Sequence, residues 1–97
     1  MSYVVAATYE SKPGREADLE VHLNAMIAPT RAEEGSAEYR IFRSRDDDRV
    51  FFLFERYRTP ADFDVHKESE HFEEHIRNGA WECLESRSVV FCEEIGE

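Results

Sequence analysis

The chain has few basic residues and no long apolar run, and each shortage excludes a class of protein. Its 97 residues include 12 Lys and Arg against 22 Asp and Glu, for a formal net charge of −10. Nucleic acids and anionic membrane surfaces are bound by clustered basic side chains, so neither is an expected partner. No apolar stretch approaches the roughly 20 residues that a membrane-spanning helix needs. The acidity is best interpreted as a contribution to solubility.

Cysteine is also scarce, and its two positions suggest neither a disulfide framework nor a metal site. Cys83 and Cys92 are nine residues apart and match no CxxC or metal-ligand spacing. The first residues, Met-Ser-Tyr-Val-Val, have no basic segment ahead of an apolar one, so no secretory signal is predicted. We therefore expect reduced thiols and a cytoplasmic protein. Gly-rich phosphate loops and a serine nucleophile motif are also missing, which argues against a nucleotide cofactor.

The apolar pattern predicts one domain over residues 1–97 with the element order β-α-β-β-α-β. Four strand-like runs are present, at Tyr3–Glu10, Ser36–Arg45, Arg49–Arg58 and Arg87–Glu94. A helical pattern runs from Arg15 toward Gly35, and Pro29 should kink it or end its regular part. A second helical region starts at Pro60 and is expected to break at Ser69. Right-handed crossovers place both helical layers on one face of a four-stranded antiparallel sheet, a ferredoxin-like α+β arrangement.

Three strands are apolar on both of their faces, which two helical layers cannot explain. These runs are Val4–Ala7, Val50–Phe54 and Val89–Phe91. A strand that is apolar on both sides is buried on both sides. Most soluble oligomers are symmetric and dimers are the commonest, so a second copy is the simplest cover for the other face. The sequence predicts a homodimer that packs sheet against sheet.

Three of the four histidines, His66, His71 and His75, lie within ten residues of one another. Imidazole titrates near a pKa of about 6.5, so it exchanges protons at neutral pH. Because this cluster follows an aromatic strand, the sequence indicates a small enclosed site for proton chemistry. His71 and His75 are four apart and could share a helix face, but zinc needs more ligands and HExxH is missing. We expect no metal site and interpret this pair as exposed.

Glu55 interrupts the otherwise apolar third strand and shares a face with Phe51 and Tyr57. Burying a carboxylate costs several kcal/mol unless it is paired. Two partners remain open at this point. Arg40 on the neighbouring strand would give Glu55 a structural role, whereas His66 would give it the role of orienting an imidazole.

Three segments taken together resemble the antibiotic biosynthesis monooxygenase domain family. They are Pro29–Gly35 (PTRAEEG), Phe54–Tyr57 (FERY) and His66–Phe72 (HxxSxHF). The resemblance runs over essentially the whole chain and implies a dimeric α+β barrel. Several members oxidise phenolic or quinol substrates with O2 and without flavin, haem or metal. Others degrade haem or isomerise a phosphorylated sugar-like signal, so the fold bounds the chemistry without determining it.

The chain also departs from patterns that are common in this family. Tyr57 follows the Glu-Arg pair where a Trp is frequent. The haem-degrading branch resembles this chain around His75, near its iron-ligand position. That branch also uses an Asn on the first strand and a Trp on the helix, where this chain has Ala6-Ala7 and His66. These differences argue against haem degradation.

The resemblance implies a cofactor-independent monooxygenase that oxidises a small electron-rich aromatic, a quinol or polyphenol, with O2. His66 is the expected base for the phenolic proton, assisted by Glu55. The expected substrate contacts are Tyr39, Tyr57, Phe63, His71, Phe72 and His75. We expect an apolar pocket of Phe52, Phe54, Phe63 and Phe72 to exclude water and hold the ring. The sequence leaves open which sheet face lines the pocket; if Phe52 and Phe54 instead face the partner subunit, Leu53, Tyr57 and Tyr39 are the lining candidates.

Two other functions remain open at this stage. One is a small-molecule or haem-binding dimer without turnover, in which His75 or His66 meets the ligand. The other is an isomerase that uses His66 and His71 as an acid–base pair. Trp81, the only tryptophan, precedes the last strand, where it either closes a pocket mouth or simply packs.

Overall fold

A four-stranded antiparallel sheet with helices on one face forms the frame of the molecule. The computed structural model describes residues 2–96. The strands are β1 (Tyr3–Ser11), β2 (Ser36–Arg43), β3 (Val50–Tyr57) and β4 (Leu84–Cys92). Their spatial order is β2-β3-β1-β4, and every neighbouring pair is antiparallel. The predicted ferredoxin-like β-α-β-β-α-β arrangement is confirmed.

The first helix, α1 (Glu16–Arg31), packs one apolar stripe against the sheet. Its buried residues follow steps of three and four, as expected for one helix face; they are Leu19, Leu23, Met26 and Thr30. Pro29 lies inside the helix, two residues before its end. A proline has no N–H to donate to the carbonyl four residues earlier, so α1 lacks one backbone hydrogen bond in its last turns.

The second helical region is divided at Ser69, as predicted, and a side-chain cap begins each of its two helices. It comprises α2 (Pro60–Lys67), α3 (Glu70–Phe72), a π-helical turn (Glu73–Arg77) and a 3₁₀ turn (Ala80–Cys83). At the start of α2, Thr59 Oγ1 accepts from the Asp62 N–H at 3.2 Å, and Asp62 Oδ2 accepts from the Thr59 N–H at 3.1 Å. At the start of α3, Ser69 Oγ accepts from the Phe72 N–H at 3.2 Å. No helix among residues 2–96 is long and apolar enough to cross a membrane.

The two faces of the sheet are covered unequally. Odd-numbered residues of β1 and β3 face the helices and form the core with α1, as Ala7 and Leu53 do when paired across the strands. Even-numbered residues face away, and large apolar side chains remain exposed there: Phe42 (50%), Phe52 (41%) and Val90 (57%). We call this the uncovered face. On the helical side, Phe91 of β4 is also 55% exposed, so that edge of the sheet is open.

Strand register determines which partner of Glu55 is possible. Tyr39 lies opposite Glu55 in the β2–β3 ladder, whereas Arg40 lies opposite Phe54. Arg40 is therefore on the uncovered face, where its guanidinium is 3.3 Å from Glu38. The interpretation that Arg40 pairs with Glu55 is wrong, because adjacent residues of a strand point to opposite faces.

Candidate active site

Glu55 is a buried carboxyl group on the helix-covered face of β3, with 6% of its surface exposed. The Tyr57 hydroxyl donates a hydrogen bond to its Oε1 at 2.6 Å. His66 Nε2 lies 3.7 Å from the same oxygen, which is beyond hydrogen-bond distance. Burial raises the pKa of Glu55 to about 7; the Tyr57 hydrogen bond opposes this rise and the negative charge of Glu33 adds to it. Glu55 therefore changes its protonation state around neutral pH.

His66 lies directly behind Glu55, in the last turn of α2, and only 1% of it is exposed. Its Nδ1 is 2.9 Å from Oε2 of Glu33, which lies in the connection between α1 and β2. Burial lowers the pKa of His66, although Glu33 opposes this effect. The imidazole is therefore neutral at pH 7, and its contact with Glu33 is a hydrogen bond rather than an ion pair. Because the carboxylate can only accept, Nδ1 carries the proton and Nε2 is left as an acceptor toward Glu55.

Glu33 also binds His71, whose Nε2 is 2.6 Å from the same carboxylate oxygen. Its other oxygen, Oε1, is buried and has no hydrogen-bond partner among residues 2–96. The ligand atoms of Glu33, His66 and His71 lie within 4.8 Å of one another. Two imidazoles and one carboxylate are suitable ligands for zinc and similar divalent metals, so these three residues could hold such an ion. In the structure they form a hydrogen-bonded cluster that holds His66 in one orientation.

His75 is not part of this cluster, although it is only four residues from His71. Its Nδ1 lies 3.3 Å from Nδ1 of His22 on α1, and its Nε2 lies 3.1 Å from Glu74. The intervening π-helical turn bonds at i→i+5, as in the 3.0 Å bond from the Asn78 N–H to the Glu73 carbonyl. The wider turn removes the alignment that a regular helix would give to side chains four apart.

A cavity of about 300 Å³ lies between the helical side of the sheet and the second helical region. Its apolar walls come from both layers: Val5, Ala7, Phe63, Phe72, Val89 and Phe91. Glu55 is the one carboxyl group among the lining residues, and His66 is not among them. Glu55 therefore reaches the cavity, while His66 stands behind it.

The structure brings together some of the predicted site residues and separates others. Phe63 and Phe72 line the cavity with Glu55. Tyr39 and Tyr57 are buried beside His66, with ring centroids 5.9 and 5.4 Å from the imidazole. His71 joins the cluster through Glu33, and His75 belongs to a different contact with His22. Phe52 and Phe54 are paired with Thr8 and Ala6 on the uncovered face, so they do not contribute to this cavity.

Several residues of the site were not identified from the sequence. Glu33 lies inside the Pro29–Gly35 segment that carries the family resemblance. Its place in that segment could have identified it as a residue of the site. Three basic residues of the wall, Lys67, Arg77 and Arg87, were also missed. Nothing in the sequence distinguished these three residues from ordinary surface charges, because charged residues on helices and edge strands are usually solvent-exposed.

The arrangement is suited to moving a proton between a ligand and the protein. A carboxyl group with a pKa of about 7 can both accept and donate a proton at neutral pH. The neutral imidazole behind it offers a second acceptor at 3.7 Å. Perturbed titratable groups that face an apolar cavity are characteristic of functional sites.

Comparison with known proteins places the chain in a family. The model of the family described as "Antibiotic biosynthesis monooxygenase" matches residues 2–78. A Mycobacterium tuberculosis protein named "Putative monooxygenase Rv0793" is 40% identical over 68 residues, which are 70% of this chain and 66% of that protein. The matched part is thus just under two thirds of that relative's length.

Solved structures agree with the sequence matches over nearly the whole chain. The structure of Rv0793 from Mycobacterium tuberculosis has a TM-score of 0.91 and 33% identity, covering 100% of this chain and 98% of that one. The crystal structure of PA3566 from Pseudomonas aeruginosa has a TM-score of 0.92 and 28% identity, covering 98% and 95%. Because the family model matches well over half of the residues, the chain belongs to the antibiotic biosynthesis monooxygenase family.

Proposed function

We propose that this protein is a cofactor-independent monooxygenase that oxidises a small electron-rich aromatic, a quinol or polyphenol, with O2. The observation that carries the proposal is Glu55, a carboxyl group with a pKa of about 7 on the wall of a cavity that several aromatic side chains line. Membership in the family and the names of its relatives support the reaction class. The aromatic walls at Phe63, Phe72 and Phe91 suit a ring-shaped substrate.

In this mechanism Glu55 takes the proton of a phenolic hydroxyl. The resulting phenolate is electron-rich and reduces O2 directly, so the substrate performs the role usually taken by a cofactor. A C–O bond forms on the ring to give a hydroperoxide, and its O–O bond then breaks with loss of water. One oxygen atom remains on the ring and the other leaves as water, while a quinol becomes a hydroxyquinone. The substrate supplies all four electrons.

The other residues of the cluster support Glu55 rather than contact the substrate. His66 was expected to be the base itself, but its burial behind Glu55 favours a positioning role, with Nε2 as a second proton acceptor. Glu33 holds the tautomer of His66 through the bond to Nδ1. The Tyr57 hydroxyl keeps Glu55 in place by donating to Oε1. The catalytic residue that we assign is Glu55.

We further propose that the functional unit is a homodimer formed through the uncovered face. Exposed Phe42, Phe52 and Val90 on that face are large apolar side chains that water-exposed sheets normally avoid. A symmetric pair of sheets would bury these residues and leave both cavities on the outside of the pair.

Oxygen uptake with a panel of quinols tests the reaction. We expect saturable uptake of one O2 per quinol, unaffected by EDTA, and a reduction of at least about 100-fold in Glu55→Gln, as is typical when a general base is lost. Glu34→Gln is the matched control, because Glu34 is an exposed carboxylate in the α1–β2 connection. Uptake that is absent with every quinol, or unchanged in Glu55→Gln, would overturn the proposal. Loss of uptake with EDTA would contradict cofactor independence.

A further inference from the structure

Three basic side chains surround the cavity, and each lies over an aromatic ring. The pairs are Lys67 over Phe63 (4.7 Å to the ring centroid), Arg77 over Phe72 (5.1 Å) and Arg87 over Trp81 (3.6 Å). All six residues line the cavity, where Glu55 is the one acidic group. In a chain with a net charge of −10, a cavity wall with three cations and one weakly acidic carboxyl group is a local reversal of charge. Such a reversal favours an anionic ligand.

The three cations are not equally available to a ligand. Lys67 lies 3.4 Å from Asp64, and Arg77 lies 3.2 Å from Glu73, so carboxylates of their own helical region partly neutralise both. No carboxylate oxygen among residues 2–96 lies within 4.0 Å of the Arg87 guanidinium. Arg87 is therefore the one of these three cations whose charge no carboxylate of the described residues neutralises; its polar neighbour is the uncharged Tyr9 hydroxyl.

Stacking on Trp81 holds Arg87 at the cavity wall, where its guanidinium also interacts with the Tyr9 hydroxyl. The guanidinium carbon is 3.6 Å from the centre of the indole ring, a close stacking contact. Such a contact occupies the flat face of the guanidinium and leaves the in-plane N–H donors available. Those donors match the two oxygens of a carboxylate, with which arginine forms bidentate pairs.

Strand register sets the distance between this cation and the proposed base. Arg87 is paired with Tyr9, whereas Phe91, four residues further along β4, is paired with Val5, which is in turn paired with Glu55. Four residues of a strand span roughly 13 Å along the strand direction at about 3.3 Å per residue, and β1 lies between the two strands, which adds roughly 10 Å sideways. Val89, paired with Ala7, lies between the two charged groups along the strand direction, and Phe91 lies level with Glu55.

We propose that the cavity binds small aromatic carboxylic acids, with the carboxylate on Arg87 and the ring against the aromatic wall toward Glu55. This inference rests on the proposed function only in naming the substrate class: the ring that Glu55 deprotonates would belong to a phenolic acid. Recognition of the acid group itself needs no turnover. The apolar wall and the cation are both required, since a simple anion leaves the wall unoccupied and a neutral ring leaves Arg87 unpaired.

The single tryptophan provides a direct measurement, because Trp81 forms part of the cavity wall and is the only Trp in the chain. Trp81 fluorescence is titrated under anaerobic conditions with 3-phenylpropanoate and with 3-phenylpropanamide, which differ in charge but hardly in shape. We expect the carboxylate to bind at least about tenfold more tightly than the amide, and acetate not to displace it. In Arg87→Gln the carboxylate should bind only as well as the amide, while the affinity for the amide stays unchanged.

Arg45→Gln is the matched control, because Arg45 is exposed in the β2–β3 connection and its loss changes the net charge equally. It should keep the preference for the carboxylate. Unchanged affinity for the amide in Arg87→Gln shows that the cavity is intact, so a general loss of structure is recognised. The inference would be overturned if the native chain bound the carboxylate and the amide equally, or if the preference for the carboxylate survived Arg87→Gln. It would also be overturned if Arg45→Gln lost the preference to the same extent, if acetate displaced the carboxylate, or if no saturable quenching were observed.

The two proposals fail separately. If no quinol supports oxygen uptake but the carboxylate preference depends on Arg87, the monooxygenase proposal falls and the acid-binding cavity stands. If uptake depends on Glu55 but charge makes no difference to binding, the reaction stands and the acidic substrate class falls.

Discussion

The two faces of the sheet are built from alternate residues of the same strands, yet they place carboxylates in opposite environments: one is paired with arginines and solvated, and the other is buried without a cation. On the uncovered face, Glu38 lies 3.3 Å from Arg40 and 2.9 Å from Arg56, and all three are partly solvated. On the helix-covered face, Glu55 has no arginine or lysine within 4.0 Å among residues 2–96, and its polar neighbours are the Tyr57 hydroxyl and the His66 imidazole. Burial without a cation is what raises the pKa of Glu55.

The helix-covered face holds the proposed active site, and the uncovered face is available as the proposed dimer interface. The helices exclude water from one face, so a polar group there is perturbed and becomes reactive. The other face has no cover from its own chain, so its apolar side chains are available for association. Four variants test this contrast, in order of expected effect.

Glu55→Gln should produce the largest change, both in rate and in the dependence of stability on pH. The native rate should rise with pH through about 7, because the proposed base must be ionised. The raised pKa means that the stability contributed by neutral Glu55 is present below the unfolded value near 4.5 and is lost as pH rises through about 7. The variant should therefore gain stability relative to the native chain between pH 5 and 8, by about 2–3 kcal/mol.

Urea unfolding at several pH values measures this difference, and oxygen uptake over the same range measures the rate. Glu38→Gln, on the uncovered face, serves as the control in both series. A stability difference that does not change with pH would contradict the raised pKa of Glu55.

Phe52→Asp should have the next largest effect, on association rather than on folding. Phe52 is 41% exposed on the uncovered face, so the substitution removes little packing within one chain. A buried, unpaired carboxylate in a symmetric interface costs several kcal/mol, so the proposed dimer should dissociate at micromolar concentration. Sedimentation velocity measures the change, with Val21→Asp on α1, 66% exposed, as the control. A monomeric native chain at the same concentration would remove the dimer proposal.

Glu33→Gln should have a smaller effect, which changes both the stability of the fold and the dependence of the rate on pH. The substitution weakens the charge-assisted bonds to His66 and His71, at a cost of about 1–3 kcal/mol. Because the charge of Glu33 adds to the raised pKa of Glu55, its removal should shift the acid limb of the rate profile to lower pH. Glu34→Gln should leave both properties unchanged. An unmoved limb in Glu33→Gln would show that the two carboxyl groups are not coupled.

Glu38→Gln should have the smallest effect and completes the comparison of the two faces. Glu38 pairs with Arg40 and Arg56 in partly solvated contacts, and such pairs contribute roughly 0–1 kcal/mol. Thermal unfolding of the monomeric Phe52→Asp background should show a change of this size or less. A loss comparable to that of Glu33→Gln would mean that the uncovered face is less solvated than its exposure indicates.

Local patterns in the sequence were sufficient for the strands, the helices and the break at Ser69. Apolar periods of two and of three to four residues, together with the Thr59 and Ser69 caps, depend on neighbours only a few residues away. The same alternation identified Glu55 as a charge on an apolar face. It favoured Arg40 as the partner of Glu55 and left His66 as the alternative, because alternation does not state which residue of a neighbouring strand is opposite.

The composition and short-range pattern of the chain determined its fold class, the strand residues that share a face with Glu55 and the excess of apolar strand surface. Only the tertiary structure decided that Glu33 reaches His66 across 33 residues, that a π-helical turn separates His75 from His71, and that Arg87 stacks on Trp81 at the cavity. The physical reason is that periodicity describes the direction of a side chain from its own backbone. Contact between distant segments depends on strand register and helix packing, which are properties of the assembled chain.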